Sequence, residues 1–111
     1  MEGKGMTEYC VIYCTVSSKE EGKKVSDALV QKDLAACVNM VGPVRSLYKW
    51  EGKTCDDEEY LLIIKSRRSL FDTIRDEIRS VHSYDVPEII GIPIITGDEQ
   101  YVEWMNDVLV K

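Results

Sequence analysis

The residues of this chain that could do chemistry are few and widely spaced. His82 is its only histidine, and an imidazole suits copper or zinc. Read plainly, it is a helix C-terminal residue favoured by the helix dipole. Cys14 stands where an apolar run gives way to Thr15-Val16-Ser17-Ser18. A thiolate there would take soft Cu(I), whereas the usual fate of a free cysteine is that of a small buried hydrophobe. Cys37, within Ala35-Ala36-Cys37-Val38, reads as packing with a supporting role at a site. Cys55 follows a chain reversal and is the thiol most open to oxidation. Asp56-Asp57-Glu58-Glu59 gathers oxygens that attract hard cations, but it lacks the loop spacing of an EF-hand and reads as a solvated approach to a strand.

These residues exclude more than they assign. One histidine cannot serve a Ser/His/Asp set, and no G-x-S-x-G, P-loop or G-x-G-x-x-G occurs. The chain reads as a non-enzyme with no catalytic residue and no organic cofactor. With 20 acidic and 14 basic side chains the formal charge is −6, which argues against nucleic acid, whose phosphates demand a dense basic face. Tyr48, Trp50, Tyr84, Tyr101 and Trp104 therefore read as protein-interface aromatics rather than a platform for bases. No secretory segment and no membrane-spanning run is expected, so the four cysteines read as reduced thiols in the cytoplasm. Cys10 and Cys14 lie four residues apart on one strand, about 13 Å, too far to share an ion without a bend.

The elements that must position these groups are legible from periodicity. Residues 1–7 read as a tail and residues 8–111 as one domain. Tyr9 to Val16 is apolar on both faces, as a central strand should be. Ser18 and Glu21 have capping-box spacing, and Val25, Ala28 and Leu29 follow at helical spacing, predicting a helix over 18–32. Cys37 to Lys65 reads as one long hairpin turning at Glu51-Gly52-Lys53, its return strand central over Tyr60 to Ile64. Gly42-Pro43 marks the outgoing strand as an edge or as bulged, because proline has no N–H for a ladder. Leu70, Phe71, Ile74, Ile78 and Val81 predict a second helix. Glu88 to Ile95 is a fourth strand, at an edge by Pro93. Asp98 is the N-cap of a last helix carrying Tyr101, Val102, Trp104, Met105, Val108 and Leu109. The order βαββαβ plus a helix is an α+β, ferredoxin-like sandwich with strands ordered 4-1-3-2. An arm of about 14 residues reaches roughly 45 Å, beyond a globule of this length, so its apolar tip of Leu47, Tyr48 and Trp50 needs cover from another chain.

Several segments together resemble the CutA family of divalent-cation tolerance proteins. These are Cys14-Thr15, Leu34-Ala35-Ala36-Cys37-Val38-Asn39, Ser46-Leu47-Tyr48-Lys49-Trp50-Glu51-Gly52-Lys53, Glu59 before Leu62-Ile63-Ile64-Lys65, His82-Ser83-Tyr84-Asp85-Val86-Pro87-Glu88-Ile89, Pro93-Ile94, and Tyr101 with Trp104. The resemblance implies a homotrimer in which Tyr48, Trp50, Tyr101 and Trp104 lie at subunit contacts. It implies copper or another divalent cation as ligand, a role in metal tolerance and an unidentified protein partner. The family's copper-associated thiol corresponds to Cys14, with His82 as second ligand and Cys37, Glu59, Tyr84 and Glu88 as cleft or supporting residues. Where bacterial members often carry two adjacent histidines, this chain has Val81 and His82. Two protein ligands are fewer than the three or four of a tight closed site, so weak binding is implied. The fold and trimer also resemble PII signalling proteins, which implies an alternative: a sensor of a small anionic ligand in intersubunit clefts.

Overall fold

The structure, a computed structural model, describes residues 8–111; the tail assigned to residues 1–7 lies outside them. It is α+β, with one antiparallel four-stranded sheet ordered β2-β3-β1-β4. The strands are β1 (Tyr9–Val16), β2 (Cys37–Trp50), β3 (Lys53–Arg67) and β4 (Ile90–Pro93), and the helices α1 (Lys19–Gln31), α2 (Phe71–Val81) and α3 (Glu99–Val108).

The two strands with continuous apolar runs are the inner ones. Alternation along β1 sends Cys10, Ile12, Cys14 and Val16 to one face, where they meet Leu62 and Ile64 of β3, Val25 and Leu29 of α1, and Ile74 and Ile78 of α2. Each fully buried Leu or Ile there contributes about 1.5–3 kcal/mol. Helix α3 builds a smaller cluster at one end of the sheet, with Val102 and Met105 against Tyr9. Arg67 fastens the C-terminal segment to the sheet by donating to Val110 O and to Asn106 Oδ1.

The strands bearing proline are the outer ones. Pro93 lies on β4, which pairs with β1 alone. The register of β2 against β3 slips between Val41 and Val44, a bulge that takes in Gly42 and Pro43. The hairpin turn is tighter than its sequence suggests, because only Glu51 and Gly52 lie between the strands. Both have positive φ, +52° and +80°, the backbone of a type I′ turn whose twist matches the flanking strands.

Three boundaries differ from the sequence reading. The acidic run is solvated over Asp56 to Glu58, but it is part of the strand and not an approach to it, because β3 begins at Lys53 and Asp56 to Glu59 pair with Leu47 to Val44. Polar side chains suit the solvent side of an arm, and the ladder forms without a hydrophobic run. The fourth strand is only four residues long, which leaves Glu88 in the loop before it. The capping box is half formed: Ser18 Oγ accepts from Glu21 N–H at 3.1 Å, but the Glu21 carboxylate turns to Ser17 instead of Ser18. The long axis is 48 Å against 25 and 22 Å for the others, as an arm projecting from a small body requires.

Candidate functional site

At the end of β1 the alternation that buries Ile12 also buries Cys14 completely. Its Sγ points to Thr15 O at 3.8 Å. Burial, reinforced by the negative charges of Glu88, Glu21 and Glu59, pushes the thiol up to about 12. Cys14 is thus a neutral thiol in the core at ordinary pH, whereas a metal takes the thiolate.

His82 caps the C-terminus of α2, and its side chain is closed from solvent. Nε2 lies 2.8 Å from Thr15 O and so carries the hydrogen. Nδ1 then accepts from Tyr84 N–H at 3.1 Å. Chain folding therefore brings Cys14 and His82 to one carbonyl, as a shared metal role would need, but neither ring nitrogen has a lone pair to offer. In this arrangement Cys14 is a core thiol, and the His82 ring staples the loop after α2 to the end of β1.

The same junction holds a residue the sequence marked only as a helix cap. Glu21 Oε1 accepts from Ser17 N–H and Ser17 Oγ, each at 3.0 Å, and Oε2 from Ser83 N–H at 2.7 Å. Burial raises its pKa, but these hydrogen bonds outweigh it and bring the carboxyl down to about 2. The Glu21 carboxylate thereby ties the residue before the α1 cap to the loop after α2.

Between the arm and the loop 84–88 lies a cavity of about 610 Å³. Tyr48, Trp50 and Tyr84 line it, with Glu59, Asp85 and Glu88 as acids and Arg45 as its one basic residue. Period-two alternation puts Glu59 and Asp57 on one face of β3 and Asp56 on the other. Arg45 is held by Asp56, with Nε and Nη2 donating at 2.9 and 3.2 Å. The Tyr48 hydroxyl donates to Asp57 and the Tyr84 hydroxyl to Glu59 Oε2 at 2.7 Å. Both phenols are driven up, Tyr48 by its bond to Asp57 and Tyr84 by burial and then by Glu59. They stay protonated, with their donors already used.

Of the residues expected at a cleft, Glu59, Tyr84 and Glu88 are thus gathered, and Tyr48 and Trp50 join them. Cys37 is not; it sits half-buried at the start of β2 opposite Lys65. Tyr101 and Trp104 do not line the cavity; they lie on α3 in tilted contact, ring centroids 5.4 Å apart. Arg45 and Asp85 were missed as site residues, since nothing in their spacing marks them; only the fold brings the arm beside the loop. Among the described residues no three of His, Cys, Asp and Glu are grouped closely enough to hold a metal ion.

A family model for the CutA1 divalent ion tolerance protein matches residues 10–108. The chain is 47% identical over 97 residues to the chloroplastic CutA protein of Arabidopsis thaliana, covering 87% of this chain and 53% of that protein. It spans about half the length of the plant relatives it matches. It is 37% identical to the divalent-cation tolerance protein CutA of Thermus thermophilus, covering 87% of this chain and 94% of that protein. The crystal structure of CutA1 from Oryza sativa superposes with a TM-score of 0.92 at 42% identity, over 96% of this chain and 98% of that one. A match running from the first strand to the last helix, in both sequence and fold, makes the chain a member of the CutA1 family of divalent ion tolerance proteins.

Proposed function

We propose that this chain works as a homotrimer in metal tolerance, binding divalent cations weakly and catalysing no reaction. The observation that carries the cation reading is the charge of the cavity beneath the arm. Glu59, Asp85 and Glu88 face it, and its one guanidinium is neutralised by Asp56. A cleft lined by unbalanced carboxylates concentrates cations. One chain gathers too few ligands, so the ion is completed by groups from neighbouring copies or by water.

The trimer rests on uncovered apolar surface. Leu47 is 69% exposed, Trp50 47% and Trp104 42%, with Ile92 and Ile95 also open. Side chains of this size, distributed along an arm and a helix, match the core of an obligate interface. Copper at Cys14 and His82 would require the thiol to shed its proton and the ring to release Thr15 O, which keeps such binding weak. Unpaired cysteines suit a reducing compartment such as the cytoplasm. No helix among the described residues is long and apolar enough to cross a membrane. A further protein partner, as the resemblance implies, would dock on what the trimer leaves open.

The rival, a PII-like sensor of a small anion, draws less support, because the one guanidinium lining the cavity is already paired with Asp56 while three carboxylates face the same space. Calorimetry separates the readings. Titrating Zn(II), Mn(II) and Cu(II) into wild type, Glu59→Gln, Cys14→Ala and His82→Ala should give weak heats that Glu59→Gln reduces and the other two leave in place. Loss confined to Cys14→Ala and His82→Ala would return the site to those residues, and absence of heat with every metal would remove the cation reading.

A further inference from the structure

We infer that the cavity between arm and loop also accepts a small organic ammonium ion, a primary amine with an apolar body; this rests on the cation reading of the same site. Glu59 is the starting point. It is only 4% exposed, yet among the described residues no cation is paired with it. Its Oε2 takes the Tyr84 hydroxyl. Its Oε1 accepts no hydrogen bond among the described residues, and no buried side-chain oxygen is left unsatisfied. Oε1 therefore keeps contact with the cavity that Glu59 lines. A carboxylate so withdrawn from water favours a positive partner more than an exposed one does.

Three further observations fix what kind of cation fits. The carboxylates around the space are not grouped for a bare ion, so a larger cation that touches them at separate points suits them better. The volume, about 610 Å³, falls among those of small-molecule sites. The remaining wall is apolar and aromatic, formed by Leu47, Tyr48, Trp50, Tyr84 and Val86. Aromatic faces attract ammonium groups through their quadrupoles and shelter an apolar body from water. An ammonium N–H donates to a carboxylate oxygen of Glu59, Asp85 or Glu88 without needing the three to converge on one point. Anions gain less, because the Arg45 charge is already balanced by Asp56 and the Tyr48 and Tyr84 hydroxyls already donate to Asp57 and Glu59.

The test uses three probes of one skeleton: phenethylammonium, 2-phenylethanol and phenylacetate, positive, neutral and negative. In titrations of the full chain followed by Trp fluorescence or calorimetry, phenethylammonium should bind at least about tenfold more tightly than 2-phenylethanol, and phenylacetate least tightly. Glu59→Gln, whose amide oxygen still accepts from Tyr84, should bring the ammonium affinity down to that of the alcohol. The alcohol's own affinity should be unchanged, which reports an intact cavity. The double variant Asp85→Asn, Glu88→Gln, at exposed positions, should narrow the same ratio. Equal affinity for the three probes, or tighter binding of phenylacetate, overturns the inference. Heats with metals but none with the amine overturn it while leaving the metal reading in place. Amine heats without metal heats support it and remove the metal reading.

Discussion

Strand β3 passes through two different environments, and the contrast between them explains the molecule. In its inner half Leu62, Ile64 and Ser66 are fully buried under α1 and α2, and Ser66 Oγ donates to Leu34 O at 2.7 Å. In its outer half, over Lys53 to Glu58, the strand is ordered by its ladder to β2 and by cross-strand pairs such as Arg45–Asp56 and Tyr48–Asp57. The core of the body, between the sheet and α1 and α2, closes its apolar groups and its polar groups alike. The arm satisfies its polar groups and leaves its apolar ones outside. A two-stranded ribbon alone is marginal in water, so an arm kept in register with its tryptophan exposed is a surface prepared for contact. The cavity lies at the seam, drawing Glu59 from the last buried turn of the strand and Trp50 from the tip.

The largest expected effect falls in the body. Ile64→Ala should cost about 2–5 kcal/mol in urea unfolding, from lost transfer and the cavity left behind. Trp50→Asp comes next and acts on the other region. If the proposed trimer uses the tip, a central aromatic of this kind contributes about 2–4 kcal/mol to assembly. The variant should sediment as a single chain while its far-UV circular dichroism is unchanged. Loss of secondary structure in Trp50→Asp would mean that body and arm fold as one unit, and would break the contrast. Leu47→Ala placed on that single-chain background should be nearly silent; a cost equal to that of Ile64→Ala would break it as well.

The body was the easier region to read. Proline is costly inside a ladder, so Pro43 and Pro93 point to outer strands, and continuous apolar runs point to inner ones; both signals are local in sequence. Asp98 behaves as a cap for the same reason, accepting from Tyr101 N–H at 3.1 Å. The acidic half of β3 was not legible as strand, because its pairing comes from the partner across the hairpin and not from its own composition. The candidate site was legible in part. Glu59, Tyr84 and Glu88 stood out by resemblance, whereas Arg45 and Asp85 join them only through tertiary placement. Cys14 and His82 meet at one carbonyl, and both are already engaged within the chain. Which nitrogen of an imidazole is free, and whether a thiol can ionise, depend on a carbonyl and on carboxylates far off in sequence.

Glu21 gives the smallest effect and the sharpest test of the claim that the body closes its polar groups. Its carboxyl is lowered in the folded chain from 4.5 to about 2. A depressed acid stabilises the fold at every pH above the unfolded value, and that stability disappears as pH falls through the folded one. Acid should therefore weaken the protein progressively between about pH 4.5 and pH 2, by about 2 kcal/mol once solvent screening is allowed for. Glu21→Gln retains an oxygen acceptor but no charge. It should lower stability at pH 7 by that amount and flatten the acid limb, so that variant and wild type converge near pH 2. A Glu21→Gln protein with the wild-type acid slope would place the titrating groups elsewhere, and the junction of β1, α1 and the loop after α2 would lose its standing as a closed polar centre.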